Sequence, residues 1–279
     1  QGESHPDVAA AHNLLGWVLH QAGHRDSGEV HLRQALAIHL DRATPDSITM
    51  SRTLNDLGVL LNAVERWPEA ESTLARALAI RRAINGDSSL AVGITANNLA
   101  ANYYLGDLDT AHRIQALALG ALEASVGSDH QRSVIALGNL AAFRLAAGQV
   151  DSAEADYRRL LQTQTRLQGR EHPVTMRVMT SLAAALLRRE GASRGEALEE
   201  AEQLVEEALA VQEREPGQGL PQLAVTLERL VAIRMAQGDT AAAAPVVQRA
   251  LRTLIAVRGA EHPQVERFRS RWCSPRAGC

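Results

Sequence analysis

The residues best suited to chemistry in this sequence are histidines that follow a glutamate. The phrase Gly-x-Glu-His-Pro occurs twice, at 169–173 and at 259–263. A carboxylate beside an imidazole can act as an acid–base pair or as half of a metal site. The repetition supports a second interpretation, in which the phrase marks the same point in two copies of one structural unit. What occupies that point in the other copies decides between the two.

A second candidate for chemistry is a group of histidines near the start of the chain. Six histidines lie within the first 39 residues: His5, His12, His20, His24, His31 and His39. His20 and His24 are four residues apart, a spacing that can place two metal ligands on one helix face. However, Gly23 predicts that the helix ends before His24, and no cysteine or carboxylate group completes a ligand set. We therefore expect surface histidines, with no metal and no cofactor.

Composition and short motifs exclude several classes of function. The sequence contains no Walker-type phosphate loop and no dinucleotide fingerprint, so we expect no enzyme. The net charge of −3, without a basic block, excludes a nucleic-acid footprint, and no apolar run is long enough to span a membrane. Cys273 and Cys279 form no disulfide framework, which predicts free thiols and a cytoplasmic setting. The opening Gln1-Gly2, with no Met, predicts a piece of a longer protein.

A repeat of about 42 residues organises the chain. One leucine marks each copy: Leu36, Leu78, Leu119, Leu161, Leu209 and Leu251. Successive markers are 42, 41, 42, 48 and 42 residues apart. The interval of 48 places extra residues in the fifth copy, in the stretch 188–197.

Each copy has the pattern of two amphipathic helices joined by a glycine-containing turn. Apolar residues recur at intervals of three and four, and no segment alternates with the two-residue period of a strand. The pattern predicts a first helix at Pro6–Gln21 and a second helix at Trp67–Asn85. A small residue, which lets paired helices approach closely, holds a fixed slot in the first helix of most copies: Gly16, Gly58, Ala100, Ala141 and Ala183, with Val231 in the sixth.

The histidine of the twin phrase falls where a first helix begins. Across the copies the same slot holds His5, Ser47, Ser89, His130, His172, Leu220 and His262. A catalytic histidine could not be exchanged for serine or leucine in neighbouring copies. Histidine and serine can both cap a helix N-terminus, and the proline that often follows suits the first helical turn. The preceding glycine suits the end of the earlier helix in a left-handed conformation. The phrase is therefore predicted to mark the end of one helix and the start of the next.

The combined pattern Asn-Asn-Leu-Ala, Gly-x-x-x-x-Ala, Arg-Ala-Leu-Ala-Ile and Gly-x-x-His-Pro resembles tetratricopeptide repeats, in the 42-residue form seen in kinesin light chains and bacterial signalling proteins. The resemblance implies an all-α fold, a right-handed α-α superhelix of about six helix pairs plus a C-terminal capping helix. We expect one solenoid domain over 5–272 and a tail over 273–279. Its predicted repeats are 5–46, 47–88, 89–129, 130–171, 172–219 and 220–261, followed by a final helix at 263–272.

An asparagine recurs in the first helix of the first four copies. This asparagine ladder consists of Asn13, Asn55, Asn97 and Asn139, each 42 residues after the last. Asn is a mediocre helix former, so its recurrence within helices needs a reason. The asparagines could bond neighbouring helices, or they could hold the backbone of an extended peptide, as the resemblance implies. Both alternatives remain open at this point.

Other residues one turn from the ladder complete the candidate peptide site. They are Trp17, Arg52, Asn62, Tyr104, Arg177 and Arg188. The resemblance implies a non-catalytic scaffold that binds a peptide or partner domain on its concave face. It also implies a place in the C-terminal region of a bacterial serine/threonine kinase or a similar signalling protein. The alternative is a regulatory solenoid that contacts an attached nucleotide-switch or protease domain.

Overall fold

The computed structural model describes residues 5–41, 46–104, 106–214 and 220–273, with the side chain of Leu220 not described. These ranges contain thirteen α-helices and no strand. The helices are α1 (Pro6–Gln21), α2 (Arg25–Leu40), α3 (Ser47–Ala63), α4 (Trp67–Asn85), α5 (Leu90–Tyr103), α6 (Leu108–Val126), α7 (Gln131–Ala146), α8 (Val150–Gln168), α9 (Pro173–Leu186), α10 (Arg194–Arg214), α11 (Leu220–Gln237), α12 (Thr240–Arg258) and α13 (Pro263–Trp272). The predicted all-α fold and the predicted bounds of α1 and α4 are confirmed.

The chain divides into two compact units, Gln1–Ala147 and Gly148–Cys279. In the first unit α1 pairs with α2, α3 with α4 and α5 with α6, and each pair packs on the next through α2–α3, α4–α5 and α6–α7. In the second unit α9 pairs with α10 and α11 with α12, while α8 packs on α9 and α13 on α12. Consecutive antiparallel pairs that bury their faces on the next pair are the building principle of an α-α solenoid. The single domain over 5–272 remains a prediction.

Five of the helix caps predicted at this slot are present. Nδ1 of His5, His130, His172 and His262 accepts the backbone N–H two residues further on, at 3.1–3.2 Å. Ser89 Oγ accepts from Val92 N at 3.3 Å. In the second copy the cap is Asp46, which accepts from Ile48 N at 3.0 Å, and Ser47 is the first helical residue. The cap there lies one residue before the predicted slot, because aspartate is itself a strong N-cap.

Glycines end four of the second helices. Gly86, Gly127, Gly169 and Gly259 have φ of 68° to 89°. Their ψ values of 152° to 173° lie outside the left-handed helical region that the sequence suggested, in a region that only glycine adopts readily. Thr44 and Gly217, which hold the same slot in the other two copies, lie outside the described residues.

The small-residue slot serves close helix approach, as predicted. A Cβ added at Gly16 would lie 2.8 Å from the carbonyl oxygen of Gly28 in the paired helix α2. At Gly58 it would lie 2.5 Å from Cγ of Leu74 in α4. Both distances are well below van der Waals contact, so the absence of a side chain sets how closely each pair packs.

The extra residues of the fifth copy form the connection between α9 and α10 and the first turn of α10. Arg189 closes this connection, because its Nε donates to Ser193 Oγ at 3.1 Å and its carbonyl accepts from Arg194 at 2.8 Å. The Arg189 guanidinium also pairs with the buried carboxylate of Glu154 in α8 at 2.5 Å. The extra segment is thus held by an internal ion pair of the second unit.

The tail departs from its prediction at one residue. Cys273 is disulfide-bonded, so the free thiol expected there is wrong. The two cysteines were expected to be unpaired because they form no framework, but the absence of a framework does not exclude a single disulfide. Residues 274–279, including Cys279, lie outside the described part of the chain.

Candidate functional site

The asparagine ladder is bonded from copy to copy within the first unit. Asn13 Nδ2 donates to Asp56 Oδ2 at 3.1 Å, and Asn98 Nδ2 donates to Asn55 Oδ1 at 3.2 Å. Asn139 Nδ2 donates to Asn97 Oδ1 at 3.0 Å. We call these three hydrogen bonds the rungs. Each joins a residue of one first helix to a residue of the next first helix, so the rungs tie α1, α3, α5 and α7 together.

Each rung joins a residue of the earlier first helix to a residue of the later one, and the two partners hold different positions in the repeat. One side consists of Asn13, Asn55 and Asn97, three residues before the small-residue slot of their helices. The other side consists of Asp56, Asn98 and Asn139, two residues before that slot in the following copy. Asn139 therefore is not the fourth equivalent of Asn13, as its spacing of 42 suggested. It is the partner of Asn97, because the third copy is one residue short.

Asn55 is the most connected member of the ladder. It is 7% exposed, donates to Asp56 Oδ1 at 3.2 Å and accepts from Thr95 Oγ1 at 3.1 Å as well as from Asn98. Thr95 in turn accepts from the guanidinium of Arg81. Arg81 is buried and also donates to Ser51 Oγ at 3.3 Å and to the Ala91 carbonyl at 3.0 Å. The network thus links α3, α4 and α5.

Two charges lie in this network. Burial raises the pKa of the Asp56 carboxyl, although the amides of Asn13 and Asn55 and the charges of Arg81 and Arg52 act in the opposite direction. Burial likewise lowers the pKa of Arg81, against the attraction of Asp56. Desolvation disfavours the charged form of both groups, so each depends on its hydrogen bonds and on the other's charge.

A second polar cluster lies near the ends of α3 and α5. Asn102 Nδ2 donates to Asn62 Oδ1 at 2.8 Å and to the Trp67 carbonyl at 2.9 Å. Asn62 Nδ2 reaches the Asn98 carbonyl at 3.5 Å. Asn62 therefore joins the ladder through the backbone of Asn98, which places this predicted residue next to the rungs.

The remaining predicted residues have different surroundings. Trp17 lies 5.6 Å from the ring of His20, and exposed Tyr104 stacks on Phe143 at 4.8 Å. Arg52 is exposed on α3, and its charge opposes the rise in the pKa of Asp56 that burial causes. Arg177 on α9 and Arg188, which follows α9, are exposed and belong to the second unit, whereas the rungs belong to the first. The structure thus places Asn13, Asn55 and Asn62 in one hydrogen-bond network, and Asn97 and Asn139 in a second one that adjoins it along α5.

Sequence reasoning missed Asp56, Asn98 and Asn102. A signal was present, because the residue after the ladder asparagine is polar in two copies, as Asn55-Asp56 and Asn97-Asn98. Two adjacent polar residues inside an otherwise apolar helix face predict bonds to two different neighbours. Only the first of each pair was assigned to the site.

Several hydrogen-bonding groups of the ladder remain unused. Within the described ranges, Asn97 Nδ2 has no acceptor, and Oδ1 of Asn13, Asn98 and Asn139 has no donor. Asn97 Oδ1, by contrast, accepts from both Asn139 and Gln115. A backbone N–H needs an acceptor and a backbone C=O needs a donor, so the unused groups match the two needs of an extended peptide.

No metal site of three ligands accompanies this network. In the part of the chain that the structure describes, no group of three or more His, Cys, Asp or Glu side chains could hold a metal ion. None of the helices in the described ranges combines the length and the apolar composition that a bilayer crossing requires.

Comparison with known proteins identifies the fold. The family model described as tetratricopeptide repeat matches residues 49–124 and 132–194. The structure is similar to that of BtubC (BKLC) from P. vanneervenii, with a TM-score of 0.66 and 22% identity over 84% of this chain and 92% of that one. It is also similar to a Podosopora anserina putative kinesin light chain, with a TM-score of 0.66 and 20% identity over 77% of this chain and 99% of that one.

A third similar structure is the Rap protein complexed with competence and sporulation factor, with a TM-score of 0.57 and 13% identity over 95% of this chain and 81% of that one. No curated protein sequence matches the chain significantly. These TM-scores establish a shared fold, and the family model adds the repeat itself. The chain belongs to the tetratricopeptide repeat proteins, of the kind found in kinesin light chain-like proteins, and its fold is that of a protein–protein interaction scaffold.

Proposed function

We propose that the chain is a non-catalytic scaffold that binds an extended peptide of a partner protein along α1, α3, α5 and α7. The observation that carries the proposal is the set of unused groups on the ladder. Asn97 offers an N–H donor, and Asn98 and Asn139 offer carbonyl acceptors on adjacent first helices. Because the rungs fix the rotamers of these side chains, little conformational entropy is lost when a peptide bonds to them.

The side chains beside the ladder favour a mixed polar and aromatic ligand. Arg52 adds an exposed positive charge near Asp56 of the first rung, and Tyr104 adds an aromatic ring that is 37% exposed and held by Phe143. Arginine and tyrosine are the side chains most often found at the energetic centres of protein interfaces. The similar Rap protein was solved with a bound factor, which supports the same use for this fold.

We further propose that this scaffold works within a bacterial signalling protein such as a serine/threonine kinase. The cytoplasmic setting expected from the sequence loses the support of free thiols, because Cys273 is disulfide-bonded. The resemblance of the repeats to such kinase tails is the support for the kinase context. The residues encoded before Gln1 in the full-length gene test it, because a kinase catalytic loop is expected there.

The peptide proposal can be tested with a variant that keeps the rungs. In Asn97→Asp, both acceptor contacts from Gln115 and Asn139 are retained, while the unused N–H donor is replaced by an acceptor. Peptides selected from a random display library against the wild-type chain would be synthesised and measured by fluorescence anisotropy. The matched control is Asn85→Asp, which makes the same charge change at an exposed residue at the end of α4.

We expect Asn97→Asp to weaken binding by about tenfold or more, because one hydrogen bond is lost and a peptide carbonyl meets a carboxylate. Asn85→Asp should bind like the wild type, and the three proteins should unfold at similar urea concentrations. Equal affinity of Asn97→Asp and the wild type for every selected peptide would refute the proposal.

A further inference from the structure

One face of α1 carries an apolar stripe that lies on the surface of the described part of the chain. The stripe consists of Val8, Ala11, Leu15 and Val18, which share a face because they are three or four residues apart. Leu15 is 44% exposed and Val18 is 52% exposed. We propose that the stripe is the interface of a symmetric dimer, in which α1 of one copy of this chain packs antiparallel against α1 of a second copy.

The same positions of the repeat are buried in the other copies. The residue before the small-residue slot is leucine in all six copies, and in each copy after the first it is at most 3% exposed. The residue two after the slot, which is Val18 in the first copy, is at most 9% exposed in the others. The stripe thus has the residue types of a buried face, although it lies on the surface.

An α-helix covers this face in the later copies. Leu57 and Leu60 of α3 pack with Leu32 of α2, which is the second helix of the preceding copy. Val92 and Leu99 of α5 belong to one core cluster with residues of α4 in the same way. The matching cover for α1 is therefore an apolar helix face.

A second copy of this chain offers such a face on its own α1. In the described ranges each second helix that is followed by a first helix already packs on it. The exposed residues of the last helix, α13, include Arg267, Arg269 and Arg271, which disfavours a head-to-tail stack of copies. Among the described helices α1 alone has three large exposed apolar side chains, since Leu14 flanks the stripe. The best apolar match to α1 within this protein is thus another α1.

The order of residues in the stripe suits an antiparallel pair. Reversing the stripe places Val8 opposite Val18. It also places Ala11 opposite Leu15, so that a small side chain meets a large one at the centre. Val8, Ala11 and Leu15 line an open depression on α1, over which Leu15 and Val18 of the second copy would lie. The two copies then use the same residues, as a two-fold axis requires.

The first experiment is sedimentation equilibrium of the full chain from about 1 to about 200 μM, with and without a reducing agent. The reducing agent is needed because Cys273 is disulfide-bonded, and a disulfide between copies must be distinguished from the α1 contact. The variant is Leu15→Glu. The matched control is Leu167→Glu, because Leu167 on α8 is the same residue type with the same 44% exposure. Circular dichroism of each variant establishes that it is folded.

We expect the wild type to dimerise with a dissociation constant of about 1–100 μM, since a single helix pair makes a small interface. Leu15→Glu should weaken the dimer by about a hundredfold or more, because the symmetric interface buries the new charge twice. Leu167→Glu should dimerise like the wild type. Dimers that persist in Leu15→Glu, or that disappear on reduction, would overturn the proposal. A wild type that stays monomeric would also overturn it and would leave the stripe to a helix of another protein.

A second experiment tests the antiparallel direction. Val8→Cys and Val18→Cys are each made in a Cys273→Ser, Cys279→Ser background and oxidised, alone and as a mixture. The mixture should give a cross-linked dimer. Neither variant alone should, because residues 8 and 18 are about 15 Å apart along α1. Cross-linking within each single variant would indicate a parallel pair and would contradict the proposed arrangement.

Discussion

Replacing Asn55 by alanine should destabilise the first unit, whatever the ladder binds. Asn55 is buried, donates to Asp56 Oδ1 and accepts from Thr95 Oγ1 and Asn98 Nδ2. Alanine removes all three bonds. Two of the former partners find alternatives, since Thr95 keeps its bond to the Ala91 carbonyl at 3.1 Å and Asn98 is half-buried and near solvent. Asp56 loses a donor that its half-buried carboxylate needs.

The magnitude follows from the bond to Asp56. A hydrogen bond to a charged group contributes about 1.5–3 kcal/mol, and the neutral rung to Asn98 about 1 kcal/mol. Alanine regains about 0.5 kcal/mol through its higher helix propensity. We therefore expect the free energy of unfolding to fall by about 2–3.5 kcal/mol.

The measurement has to report on the first unit alone. Trp17 and Trp67 belong to that unit, and the third tryptophan, Trp272, belongs to the second. In a Trp272→Phe background, fluorescence during urea unfolding therefore follows the first unit. The slope of free energy against urea should be the same for both proteins, so that the shift of the midpoint gives the change in stability.

The matched control is Asn85→Ala, the same chemical change at an exposed helix end. It should alter stability by less than about 0.5 kcal/mol. If Asn55→Ala also changes stability by less than this amount, the hydrogen bonds of the second rung do not stabilise the fold. The ladder would then be read as a binding surface alone.

Three further predictions concern the packing, the caps and the buried charge. Gly16→Ala should lower the free energy of unfolding by about 1–3 kcal/mol, because the added Cβ meets the Gly28 carbonyl. Gly120→Ala is the control, because a Cβ there meets nothing within 4 Å, and it should leave the free energy of unfolding unchanged. Urea unfolding of both variants measures the difference. His172→Ala should cost about 0.5–2 kcal/mol through loss of the α9 cap, whereas His24→Ala, which removes no capping bond, should be neutral in the same assay. Burial raises the pKa of Asp56 in the folded chain above its pKa in the unfolded chain. Its contribution to stability is therefore fully present below the unfolded-state pKa of Asp56 and is lost as pH rises through its folded-state pKa. The stability of wild type relative to Asp56→Asn should therefore decrease as pH rises from the acid range to neutral, and a pH-independent difference would contradict this.

The features that the sequence predicted well are those that depend on local structure. A cap requires one side chain and the backbone two residues away, so His172 could be assigned from its neighbours alone. The close approach at Gly16 was equally predictable, since a recurring small residue in an amphipathic helix has few other uses. The repeat interval then fixed the number of helices, because each copy supplies two.

The rungs could not be predicted in the same way, because they depend on register between copies. A spacing of 42 aligned Asn139 with Asn13, Asn55 and Asn97, yet the one-residue shortening of the third copy makes it the partner of Asn97. Asp56 was missed because its residue type differs from asparagine, although its oxygens serve the first rung. Spacing along a chain does not distinguish equivalent residues from bonded residues when both recur with nearly the same period.

The register also explains why the rungs occur where they do. In the fourth copy Gly138 stands in the position that Asn97 has in the third, so α7 offers no side chain for a further rung. In the fifth copy Thr180 and Ser181 hold the two positions, and their hydroxyls donate to carbonyls of their own helix at 3.0 Å. At the other end, the position of Asp56 is taken in the first copy by Leu14, which has no polar group to bond. The rungs are therefore limited by residue type to α1, α3, α5 and α7, the first helices of the unit that ends at Ala147. Since the unused donors and acceptors lie on those same rungs, the peptide proposal belongs to the first unit, and Arg177 and Arg188 are not needed for it.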